Sequence, residues 1–190
     1  MDILISSSST TTTAKHPFGS SIADTVLRTA DDVDFRVHSV ILAEASTVFK
    51  TMFSLPQPEQ VTRDHASQSV DGRPIITITE TSEVMDSLLR LIYPVADPVL
   101  PTLQTVRPVL AAALKYGMEE ATSLMKKALC SFGEENPLGV WAVACTLRLE
   151  KEARKAAEWS MKLPEILDVD VFPPEMGEVS AWTYHRLAMY

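Results

Sequence analysis

The sequence is poor in the residues that build chemistry. Its 190 residues include two cysteines, Cys130 and Cys145, and four histidines, His16, His38, His65 and His185. Two cysteines make no disulfide framework. Both lie among apolar neighbours in helical patterns, where a free thiol behaves as a small hydrophobe in a reducing compartment. No histidine stands at ligand spacing from a cysteine or carboxylate, so no metal site is expected. A Gly-rich phosphate loop, a Cys–His pair and a paired-carboxylate motif are all missing, which leaves no catalytic residue and no cofactor to nominate. No apolar run approaches the roughly 20 residues needed to cross a bilayer. Met1–Ile5 is apolar but brief, with no basic region before it, so it is not a secretory signal. The formal net charge of -8 argues against the clustered basic surface that nucleic-acid binding requires. The densest basic group (Lys151, Arg154, Lys155) alternates with Glu150, Glu152 and Glu158 and reads as a solvated helix face. These absences describe an intracellular chain, cytoplasmic or nuclear, with no nucleic-acid or membrane partner and no enzyme activity.

What is present is an ordinary globular balance, 46% hydrophobic and 22% charged, in a chain long enough to bury a core unaided. The Ser/Thr tract Ser6–Thr13 buries almost nothing, so residues 1–19 are expected to be a disordered, solvated leader. Order is expected from Ala23. Thr25–Thr29 is rich in β-formers, and Val33, Phe35 and Val37 alternate with Asp34, Arg36 and His38, the period of a half-buried strand. Ala30-Asp31-Asp32 between them predicts a hairpin turn, with Asp32 in a position where positive φ is needed and aspartate tolerates it. Val40–Ala45 is so continuously apolar that a short helix buried nearly all round is expected. Val48, Phe49, Met52 and Phe53 form the stripe of a second helix, capped by Ser46 and stopped by Pro56. Pro56–Pro74 reads as a long exposed loop. Ile75–Thr79 is a strand, and Thr81 or Ser82 caps a helix with Val84, Leu88, Leu91 and Ile92 on one face and Glu83 in its first turn.

The second half is helical. Leu103, Val106, Leu110 and Leu114 keep helical spacing, but Pro108 predicts a break, with the main helix running from Pro108 to Tyr116 and Gly117 ending it. Ala121, Leu124, Met125, Ala128, Leu129 and Phe132 form the next stripe, ended by Gly133. Asn136-Pro137 is an N-cap followed by proline at the first helical position. Leu138, Trp141, Ala142, Cys145 and Leu149 mark that helix. Ala153, Ala156, Ala157 and Met161 mark another, and one further helix fits residues 179–190. Short connections predict antiparallel helical hairpins.

The series D-x-V-L-R from Asp24, F-R-V-H from Phe35, then Ile41-Leu42, Ser46, Phe49, Met52 and Phe53 resembles the first half of a BTB/POZ domain. Ser54–Pro58, the strand Pro74–Thr79, Leu91–Pro94 and Ala113–Met118 resemble the fungal members of that family. The implied fold is α+β: a small β-sheet with a cluster of short helices, followed by a helical extension. The implied domains are a BTB/POZ domain over residues 20–133, the start of a BACK-like helical extension over 134–167, and a tail over 168–190. The implied role is protein–protein interaction, through homodimers and through adaptor function for a cullin-3 ubiquitin ligase. The alternative is a degenerate scaffold or regulatory protein that binds no cullin. Three departures bear on this choice. Ser39 stands where dimeric animal members usually carry Lys or Arg facing an acidic residue, here matched by Asp24. Val95–Pro101 lacks a hydrophobic-x-Glu cullin pattern. No kelch or zinc-finger module follows, so the tail, the 56–74 loop or the helical extension would have to hold any substrate. The resemblance makes Asp24, His38, Ser39, Phe49, Met52 and Phe53 the candidate protein-binding residues. From the residues alone, His38 reads as a structural histidine at a strand–helix junction, since no nucleophile stands at recognisable spacing. Phe49, Met52 and Phe53 read mainly as core.

Overall fold

The computed structural model describes residues 11–55, 69–161 and 173–188. The Ser/Thr leader up to residue 10, most of the expected 56–74 loop and the 162–172 link lie outside the described residues. The chain divides into two compact units, one holding the residues up to Pro98 with Tyr116–Met118, the other Val99–Lys115 and the residues from Glu119 onward.

The first unit is built on a five-stranded sheet in the order β1-β3-β2-β5-β4. The predicted hairpin is its centre: β2 (Thr25–Arg28) and β3 (Val33–Val37) pair antiparallel, with Leu27 opposite Phe35 and Arg28 opposite Asp34. Asp32 turns the chain at φ +57°, as its position in the turn predicts. Arg28 closes the hairpin by donating two bonds to the Asp34 carboxylate, at 2.7 and 2.8 Å. Val26, Leu27, Phe35 and Val37 are all buried. β5 (Arg73–Thr77) adds parallel to β2. β4 (Ser69–Val70) then folds back on β5 through Asp71 and Gly72, both at positive φ. The expected loop therefore ends in a tight hairpin, because Asp-Gly is the dipeptide that this twisted turn favours.

The expectation that the leader lacks structure through residue 19 does not hold for its last residues. β1 (Thr12–Thr13) pairs parallel with β3. Phe18 is buried, 5.8 Å from the Phe35 ring and edge-on to Tyr93 at 5.4 Å. One aromatic anchor and the backbone bonds Thr12 N to Asp32 O and Arg36 N to Phe18 O offset the ordering entropy that the Ser/Thr composition alone cannot.

α1 (Ser39–Ala45) and α2 (Thr47–Ser54) follow the hairpin, and α3 (Ser82–Arg90) follows β5. α2 starts as predicted, with the Ser46 hydroxyl accepting from Phe49 N at 3.0 Å. α1 is not buried all round. Only Leu42 is fully inside, and Val40 is 65% exposed, because a helix this short turns one face inward and leaves the other to solvent. Met85, Leu88 and Leu89 are the buried face of α3.

The second unit contains α4 (Leu103–Lys115), α5 (Glu119–Ser131), α6 (Pro137–Thr146), α7 (Glu150–Ser160), a 3-10 turn over Pro174–Glu178 and α8 (Ala181–Ala188). α4 runs unbroken through Pro108. Proline there removes one backbone bond, yet Leu103, Val106, Val109, Leu110 and Ala113 stay on one buried face, and that burial outweighs the lost bond. Thr102 and Thr105 start the helix reciprocally, each main-chain N–H donating to the other's hydroxyl, at 3.2 and 3.3 Å. α6 is capped by Asn136, whose side chain accepts from Gly139 N at 2.9 Å. Every residue from Pro137 to Ala144 is buried, so α6 is the centre of this unit. α7 shows one side to it, with Ala156, Ala157 and Ser160 buried, whereas Met161, expected in the stripe, is exposed. Leu124 of α5 is likewise exposed.

Candidate functional site

The six candidate residues fall in two places of the first unit. Asp24 immediately precedes β2, and Ser39 opens α1. The Asp24 carboxylate accepts from Ser39 N at 2.7 Å and from the Ser39 hydroxyl at 2.5 Å. His38, the residue before α1, supplies no side-chain cap of its own. Asp24 does so from another element, and a carboxylate is the favourable charge at a helix N-terminus. With serine at this position, the carboxylate is a capping acceptor rather than the partner of a cation.

A second pair repeats the arrangement. Asp31, in the turn of the first hairpin, accepts from Ser82 N at 2.8 Å and the Ser82 hydroxyl at 2.5 Å. Thr81, expected with Ser82 as a local cap, makes no side-chain capping bond. Partial burial pushes both carboxyls up. The bonds from Ser39 and Ser82 outweigh that push and hold Asp24 and Asp31 below their ordinary range. A folded pKa below the unfolded one contributes stability that is complete above the unfolded value, about 3.9, and is lost as pH falls through the folded value. Replacing both with Asn is therefore expected to flatten the decline of the urea midpoint between about pH 5 and pH 2. An unchanged decline in that double variant would contradict the two-cap arrangement.

His38 sits beside Tyr93. Its main-chain N–H donates to the Tyr93 hydroxyl at 2.8 Å, and its ring Nδ1 lies 3.4 Å from the same oxygen. Burial, before any other cause, raises the Tyr93 phenol, so it stays a neutral donor and acceptor at this junction. The sequence marks Tyr93 as the end of a helix and as part of the Leu91–Pro94 resemblance, but not as a partner of His38.

Phe49, Met52 and Phe53 belong to α2. Phe49 is 2% exposed and stacks on Tyr116 at 5.0 Å and on Phe53 at 6.1 Å. Met52 and Phe53 are half-buried. Ser46 ties this cluster together, donating to the Tyr116 carbonyl at 2.5 Å while capping α2. The Tyr116 hydroxyl donates to Glu80 at 2.5 Å, and burial together with that carboxylate pushes its phenol far above the ordinary range. Gly117, at φ +61°, leaves room for Thr47, whose Oγ1 would lie 2.2 Å from a Cβ there. Tyr116 and Glu80 complete the cluster; the sequence marks Tyr116 only within the Ala113–Met118 resemblance and gives no signal for Glu80.

Among the described residues, the large exposed apolar side chains of this unit are Ile22 before β2, Val40 on α1, Val48 on α2 and Leu55 after it. Among the described residues, no group of three His, Cys, Asp or Glu could hold a metal ion. No described helix is long and apolar enough to cross a membrane.

Mouse (Mus musculus) TD and POZ domain-containing protein 4 is 27% identical over 150 residues, covering 78% of this chain and 35% of that protein. Mouse TD and POZ domain-containing protein 5 is 32% identical over 97 residues, covering 51% of this chain and 26% of that protein. The chain thus spans about a third or less of the relatives it matches. The family model for the BTB/POZ domain matches residues 16–132, more than half of the chain and starting before the strand pair whose motifs resemble it. The chain belongs to the BTB/POZ family, and its BTB domain is a non-catalytic protein-interaction module.

Proposed function

We propose that this chain self-associates through its BTB unit and uses that assembly as a substrate adaptor for a cullin-3 ubiquitin ligase inside the cell. The observation that carries self-association is the apolar surface of the first unit: Ile22 is 80% exposed, Val40 65% and Val48 43%. These side chains stand on the lead-in to β2, on α1 and on α2, the elements that flank the central hairpin in sequence. Large exposed apolar groups that gather on one face mark contact surfaces, and a second copy of the chain would cover these three. The motif series from Ser54–Pro58 to Ala113–Met118 supports a fungal-type branch of the family.

A second reading has its own support. Asp24 is engaged by Ser39, so no charged pocket is formed with a following Lys or Arg, and Val95–Pro101 lacks the hydrophobic-x-Glu pattern. A scaffold that binds no cullin would have this appearance. Mixing the purified chain with the N-terminal domain of cullin-3 and weighing the complex by light scattering separates the two. A two-to-two complex is the adaptor's expected result. A stable assembly of the chain alone that leaves the cullin domain free would favour the scaffold.

A further inference from the structure

Among the described residues of the first unit, Ile22 is the most exposed large apolar side chain, at 80%. It stands in the irregular lead-in to β2, outside any strand. The segment is nevertheless held. Arg73 opens β5, and the parallel register of β5 on β2 sets it beside the residues just before β2. Its Nε donates to the Ala23 carbonyl and its Nη2 to the Ser21 carbonyl, both at 2.7 Å. One planar guanidinium thus bridges the two carbonyls that flank Ile22. Ala23 is itself buried, and Ile22 N donates to the Ser20 hydroxyl at 3.4 Å.

The fork is braced from behind. Nη1 of Arg73 donates to the Asp71 carboxylate at 3.3 Å, and Arg36 of β3 donates to the same carboxylate at 2.9 Å. Asp71 sits at positive φ in the turn between β4 and β5. Every guanidinium nitrogen of Arg73 therefore has a partner within the chain, which makes the group a clamp and not an anion site. An apolar contact residue whose backbone is fixed before association loses less freedom on binding.

We propose that Arg73 is a positioning residue for self-association, holding residues 21–23 so that the Ile22 side chain projects toward the second copy. This role rests on the self-association reading and adds to it a residue that makes no apolar contact itself. Sedimentation equilibrium of the 190-residue chain measures the dimer Kd, with urea unfolding alongside as a check of the fold. Arg73→Gln is expected to weaken the dimer about tenfold, and Ile22→Ala at least as much. The double variant is expected to be no weaker than Ile22→Ala alone, because without that side chain there is nothing to present. A purely structural Arg73 would cost the same in both backgrounds. Arg73→Lys keeps the charge but not the planar fork, and carries the test if Arg73→Gln does not fold. It is expected to weaken the dimer in the same direction, again only where Ile22 is present. A dimeric wild type whose Kd neither Arg73 variant changes, or equal costs with and without Ile22, would overturn the positioning role and leave self-association standing. A wild type that is monomeric at every concentration would overturn both.

Discussion

Phe49→Ala is expected to cost about 3–5 kcal/mol of stability, the range for emptying a buried aromatic site. The reason is local and specific. Phe49 is sandwiched between Phe53 and Tyr116, and its amide is the one that Ser46 caps. Removing the ring leaves Tyr116 without its 5.0 Å stacking partner while the Tyr116 hydroxyl stays tied to Glu80, so the site is pinned on one side and closes poorly. Cavities that cannot collapse fall at the high end of that range. Met52→Ala and Phe53→Ala, from half-buried positions, are expected to cost less, about 1–2 kcal/mol. Urea unfolding followed by circular dichroism measures all three. If Phe49→Ala were near-neutral while a partner was lost, Phe49 would be a contact residue and not core.

Gly133→Ala is expected to destabilise by about 1–3 kcal/mol, as overpacking does. A Cβ at Gly133 would meet Cζ3, Cε3 and Cη2 of Trp159 at 2.1, 2.3 and 2.5 Å. Three atoms of a rigid ring cannot step aside by one rotation of a side-chain end. Trp159 also carries the Lys155 ammonium 4.9 Å above its ring, so moving the indole breaks a second contact. A double variant with Trp159→Ala should recover most of the added penalty, because the two positions are in direct contact and so couple. Additive costs in that cycle would mean that the ring is not what excludes a side chain at 133.

Much of the fold was legible because it is encoded over short distances. Ser46 and Asn136 are read as caps from their immediate neighbours, and both cap. Asp32 is read as a turn residue and adopts positive φ. Long-range features were not legible. Asp24 caps a helix 15 residues away and Asp31 one 51 residues away, so no cap is read for the first helix and the local candidates Thr81 or Ser82 are read for the second. Phe18 orders residues that composition marks as unstructured, because its partners Phe35 and Tyr93 come together only in the fold. Pro108 was over-read as a break, since a local steric rule does not weigh the buried face that the whole helix supplies. Asp71-Gly72 was a local signal that went unused inside a polar stretch.

The candidate site was legible as a set of residues but not as a geometry. Asp24 and Ser39 meet, His38 meets Tyr93, and Phe49 and Phe53 meet Tyr116, so one motif divides into a helix-capping pair, a junction and a piece of core. Ile22, Val40 and Val48 are exposed, and hydrophobicity alone could not distinguish them from core residues.

Self-association is the claim on which the adaptor reading stands, and the mass of the free 190-residue chain in solution tests it most directly. Size-exclusion chromatography with light scattering at micromolar concentrations should give twice the 21.0 kDa of one copy, falling toward one copy when Val40→Asp places a charge on α1. A mass of 21.0 kDa at every concentration up to about 100 µM, where even weak dimers assemble, would contradict it.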